Sequence, residues 1–186
     1  MEDQKIVQMY WERKEQAILS TSEKYDSYCM TIAENILGNR EDAKECVNDA
    51  LLVLWNKIPP DKPQMLSTYL GKIVRNLSIN RYKKNKRKKR GGGQLPLVLE
   101  ELEEVLSGSK DLEEEWEENY LLECINAFLT ELPEEKRKLF VCRYWYADSV
   151  KDIAQRFDMT PNHVSVTLKR VRKKLHDYLI ERGYEL

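Results

Sequence analysis

Residues 149–175, SVKDIAQRFDMTPNHVSVTLKRVRKKL, carry the side chains best suited to binding an anionic polymer. Val164, Leu168, Val171 and Leu175 recur at spacings of four, three and four and make one apolar stripe. Asn162, His163, Ser165, Val166, Lys169, Arg170, Arg172 and Lys173 fall on the other faces. These groups suit hydrogen bonds and charge contacts to phosphates and base edges, and they perform no bond-making step. The chain has no Gly-rich phosphate loop, nucleophile motif or clustered metal ligands, so no enzyme activity, cofactor or metal is expected.

Two helices must position that face. Ser149 with Asp152 three residues on is a capping-box pattern, so a helix should start at Val150 and turn Ile153, Ala154 and Phe157 inward. A small residue at Ala154 leaves room for a close helix crossing. Asp158 and Met159 fill the turn, where many such sequences carry glycine; aspartate tolerates the left-handed conformation better than most residues. Thr160 followed by Pro161 is an N-cap with proline at the first helical position. The second helix is thus a candidate major-groove reader in a helix-turn-helix. A plain helical hairpin with solvated lysines is the competing reading.

The 186 residues allow one large or two small domains, and the formal charge of -1 conceals strong segregation. Residues 62–90 hold eleven Lys or Arg and no acid, whereas residues 100–118 hold ten acids and one lysine. Screening over about 8 Å lets each patch act separately, so the basic patch can attract phosphate in a nearly neutral molecule. Cys29, Cys46, Cys124 and Cys142 lie far apart without a CxxC pair and read as reduced core thiols. Only His163 and His176 are available to join them, so no zinc site is expected. The charged N-terminus and the lack of any apolar run near the roughly 18 residues that cross a bilayer imply a cytoplasmic protein without membrane insertion.

The pattern predicts an all-α protein, with helices over 3–13, 14–37, 41–58, 66–89, 120–129 and 133–146 before the motif pair. Gly38 should end the second helix, and Asn39 with Asp42 should cap the third. In that third helix Ala43, Cys46, Val47, Ala50, Leu51 and Leu54 form a core stripe, which Leu52, Val53 and Trp55 extend to other sides. Either neighbouring helices bury it all round or it meets a protein partner. In the fourth helix Leu66, Tyr69, Leu70, Ile73, Val74 and Leu77 point inward. Its Lys72, Arg75, Asn76, Asn80, Arg81, Lys83 and Lys84 form a face suited to phosphates, or else a solvated charged surface. Gly91, Gly92 and Gly93 should stop this helix, and 91–118 reads as an acidic flexible linker between domains at 1–90 and 119–186.

The stretch DAKECVNDALLVLW followed by STYLGKIVRNLSINRYKK, and later LPEEKRKLFVCRYWYADSVKDIAQRF with TPNHVSVTLKRVRKKL, closely resembles the extracytoplasmic-function group of sigma-70 RNA polymerase sigma factors. The likeness covers about 20–90 and 119–182 in the family's order. It implies a region-2-like helical bundle and a region-4-like helix-turn-helix domain in a promoter-specificity subunit that binds core RNA polymerase and promoter DNA. Asn48, Asp49, Leu52 and Trp55 would contact the polymerase. Tyr69, where the family often has Trp, would serve minus-10 recognition with Lys72, Arg75, Asn76, Asn80, Arg81, Lys83 and Lys84, beside a 59–68 loop holding a flipped base. Thr160, Asn162, His163, Ser165, Val166, Lys169, Arg170 and Lys173 would serve the minus-35 element. The acidic stretch would thread into the polymerase cleft, and an anti-sigma partner is a further expectation. A stand-alone helix-turn-helix regulator is the alternative; it leaves the third helix's apolar surplus and the minus-10 loop without a use.

Overall fold

The computed structural model describes residues 2–86, 93–106 and 115–183, and among them no strand occurs. The chain divides into two compact units, Met1–Leu95 and Pro96–Leu186.

The first unit is built from α1 (Asp3–Trp11), α2 (Gln16–Leu37), α3 (Arg40–Lys57) and α4 (Leu66–Lys86). α2, α3 and α4 pack against one another, and α1 lies mainly on α2. Their facing sides are apolar: Ile6, Tyr10, Ala33, Ile36, Ala43, Ala50, Leu54, Leu70 and Val74 are all 0–1 % exposed. Alanines at the crossings let the backbones approach closely, and each buried Leu or Ile contributes on the order of 1.5–3 kcal/mol. The buried Tyr10 hydroxyl lies 2.9 Å from Thr21 Oγ1, whose own proton goes to the Ala17 carbonyl at 2.7 Å, so Tyr10 is the donor. Both junction signals hold. Gly38 closes α2 in the left-handed conformation, and the Asn39 side chain accepts the Asp42 amide at 3.0 Å.

The second unit contains nearly all of α5 (Leu95–Leu106), then α6 (Glu115–Glu131), α7 (Glu134–Phe140), α8 (Val150–Arg156) and α9 (Pro161–Glu181). α9 is its axis, touching α6, α7 and α8. Val164, Leu168, Val171, Leu175 and Leu179 are 0–1 % exposed, so the stripe read from the sequence is the core. Phe128 meets Tyr178 edge-on at 5.3 Å, and Phe140 lies 4.5 Å from Tyr144.

Three features differ from expectation. α7 does not run evenly to 146; from Val141 to Trp145 it opens into a π-helical turn that sends Cys142, Arg143 and Tyr144 inward together. α6 begins at Glu115, earlier than the expected 120. Part of the stretch read as linker is the helix α5, where Leu95, Val98 and Val105 are buried. Leu95, Val98, Leu102 and Val105 recur at three, four and three, a helical face hidden among the acids. Residues 87–92, with the end of the basic run and two of the glycines expected to stop α4, lie outside the described residues, as does 107–114 of the acidic stretch. Three non-glycine residues hold corners with positive φ: Arg13 at 55° between α1 and α2, Ala147 at 53° before α8, and Asp158 at 53° between α8 and α9.

Candidate nucleic-acid interface

The α8–α9 pair forms as its caps dictate. Ser149 accepts the Asp152 amide at 3.1 Å and donates to its carboxylate at 2.5 Å. Thr160 accepts the His163 amide at 3.2 Å with Pro161 at the start of α9. Ile153 and Ala154 are buried as expected, whereas Phe157 is only half-buried. Asp158 takes the left-handed turn position.

With the apolar stripe sealed, Thr160, Asn162, His163, Ser165, Val166, Lys169, Arg170 and Lys173 are all exposed. Thr160, Asn162, His163, Val166 and Arg170 line one recess of about 320 Å³, joined by Thr167. Thr167 escaped sequence reading; its position four after His163 and three before Arg170 was the available signal. Arg172 turns the other way, toward Tyr144. The free face offers amide, hydroxyl, imidazole and cationic donors, the set that contacts phosphates and base edges.

α4 divides its candidates differently. Lys72, Asn76, Asn80, Lys83 and Lys84 are exposed along one side of the helix. Arg81 instead turns onto α3, with Nε 3.0 Å from Asp42 Oδ1 and a second contact to Glu45, while Asn85 donates to Asp42 at 3.2 Å. Hydrogen bonding to Glu45 raises the Arg81 pKa against the opposing effect of burial. Arg75 is half-buried, and burial lowers its pKa. Tyr69 donates to Asp61; burial and that bond push its phenol up to about 12, so it stays a neutral donor. The loop after α3 and the first helix form a recess of about 430 Å³ lined by Gln4, Val7, Gln8, Lys62, Pro63 and Gln64. The α1 contribution was not legible, because nothing in local spacing ties residue 4 to residue 64.

On α3, Asn48, Asp49 and Leu52 are exposed, Leu52 by 60 %. Trp55 is held within its own unit: Tyr10 lies edge-on at 6.0 Å, the Arg13 guanidinium stands 5.3 Å from its ring, and Arg13 Nη1 donates to its carbonyl at 2.7 Å. The four cysteines are buried free thiols, and burial pushes Cys29 up to about 12. Among the described residues no helix is long and apolar enough to cross a membrane.

Comparison with known proteins fits this division into two helical units. A family model for sigma-70 region 2 matches residues 23–88, and one for sigma-70 region 4 matches residues 122–175. The chain is also similar to a solved structure, that of CnrH in complex with the cytosolic domain of CnrY. That likeness has 16% identity and a TM-score of 0.45, over 98% of this chain and 99% of that one. No curated protein matches the sequence. With a region 2 bundle followed by a region 4 helix-turn-helix over well more than half its length, the chain belongs to the sigma-70 family of RNA polymerase sigma factors, in the extracytoplasmic-function arrangement.

Proposed function

We propose that this sigma factor reads the minus-35 element with the exposed face of α9 and the minus-10 element with α4 and the loop before it. The observation that carries the reading is the α9 face. Eight candidate side chains stand clear of a fully buried stripe, beginning at the N-terminal end of the helix, where helix-turn-helix readers meet base edges. Lys72, Asn76, Asn80, Lys83 and Lys84 hold the DNA backbone, and Tyr69, Arg75 and Arg81 complete the set proposed from the resemblance. Lys62 and the three glutamines of the recess beside the 59–68 loop offer a cation and amide edges to an extruded base. Asn48, Asp49, Leu52 and Trp55 face core polymerase, with the exposed Leu52 as the apolar centre. The functional division is 1–90 for polymerase and minus-10 contact and 119–186 for minus-35 contact. The protein binds rather than catalyses, acts in the cytoplasm, and is open to control by an anti-sigma partner.

The test is transcription in vitro by bacterial core polymerase, with and without this protein, on a genomic fragment library with start sites mapped. New starts that share paired minus-35 and minus-10 elements support the reading. No starts, with polymerase-independent binding to duplex DNA, would identify a stand-alone regulator instead.

A further inference from the structure

Arg143 is the largest fully buried side chain of the described structure, 2 % exposed in the π-helical turn after α7. A guanidinium so placed needs an anion, because an uncompensated charge away from water is strongly disfavoured. Its anion comes from α5. Arg143 Nη2 donates to Glu101 Oε1 at 2.7 Å and Nε to Oε2 at 3.3 Å, a two-pronged grip, while Nη1 is satisfied by the Asp148 carbonyl at 2.9 Å. Tyr144 donates its hydroxyl to Glu101 Oε2 at 2.8 Å. Arg172 of α9 reaches the same oxygen at 3.2 Å and donates to the Tyr144 hydroxyl at 2.7 Å. Donors from two elements therefore converge on one carboxylate, and all lie in the second unit.

One further observation separates this cluster from ordinary domain packing. Glu101 lies outside both family matches, which end at 88 and resume at 122, whereas Arg143, Tyr144 and Arg172 lie inside the region 4 match. Beyond Glu101, α5 is held along one apolar side: Leu95, Val98 and Val105 are buried, while Leu97 and Leu99 are 49 % and 41 % exposed.

We infer that Arg143, Tyr144 and Arg172 form a carboxylate-receiving site on the minus-35 domain, filled in cis by Glu101, which makes the helix of the acidic segment a detachable latch. The ligand is an aliphatic carboxylate. While it is seated, Arg172 of the recognition helix is engaged inward; when α5 leaves, the site is open.

The test uses the full chain with Glu101→Ala and Glu101→Gln, and Glu100→Ala and Glu103→Ala as controls, since both control positions are exposed on α5. Amide hydrogen exchange across 96–106 should accelerate about tenfold or more in the Glu101 variants and little in the controls. Sodium acetate, a free carboxylate that fits the space left by Glu101→Ala, should raise that variant's melting midpoint more than sodium chloride of equal ionic strength does. The wild type should not show the difference, because its site is occupied. If Glu101→Ala does not fold, the Glu101→Gln exchange data decide the matter. Unchanged exchange across 96–106, or acetate acting no better than chloride, overturns the inference.

Discussion

The two units are stabilised by different means. The bundle of α1–α4 buries a nearly chargeless core, with Ser20, Thr21 and Ser78 its buried polar residues among those described, and places its ion pairs at the rim. The α5–α9 unit buries Arg143 and Asp148 beside its leucines, and Asp148 Oδ2 pairs with Arg156 Nη1 at 2.6 Å. An apolar core loses stability in proportion to the atoms removed, whereas a buried ion cluster fails when any one partner is taken away. The second unit should therefore respond more sharply than the first to single charge changes and to acid.

The strongest break of that comparison is Arg143→Ala, which leaves Glu101 without its main partner and a space in the core. A loss of about 3–5 kcal/mol is expected in the unfolding transition of the second unit, followed by urea denaturation. Acid should act on the same cluster. Burial alone would raise the Glu101 pKa, but the hydrogen bonds from Arg143 and Tyr144 and the charge of Arg172 outweigh it and hold the carboxyl below its usual range. Its contribution is thus fully present above the unfolded value of about 4.3 and is lost as pH falls through the lower folded value. Melting at descending pH should weaken the second unit first.

Next in size is Arg170→Ala, which leaves the fold intact because the side chain is exposed, yet should weaken minus-35 duplex binding by about 1–3 kcal/mol if it reads a base. Electrophoretic or anisotropy titration would measure it; a uniform small loss across sequences would assign Arg170 to a phosphate. Ser149→Ala removes a cap and should cost about 1 kcal/mol in the second unit. The smallest change is Arg81→Ala in the first unit. Its partners are partly solvated at the rim, so about 0.2–1 kcal/mol is expected. A much larger loss would show that the first bundle also depends on charge.

What was legible in the sequence follows the range of the interactions. The caps at Ser149 and Thr160, the αL turn at Asp158, the α9 stripe and the close of α2 at Gly38 are all local, and each formed as its residues indicate. Arg81 was read from its helix face alone, and that face could not show its pairing on α3 with Asp42 and Glu45, far away in sequence. α5 read as spacer because its acids dominate the composition, although its periodicity was present. The partner that explains Glu101 stands 42 residues away, beyond any local pattern.

The corners at Arg13 and Ala147 carry one more consequence. Each joins two helical segments through a residue whose side chain, unlike that of Asp158, disfavours the left-handed conformation, by about 1–2 kcal/mol. The helices therefore hold these joints bent, and the joints push back like loaded hinges. Glycine at 147 would relieve the load while widening the freedom of the unfolded chain, so the bend now costs enthalpy where glycine would make it cost entropy.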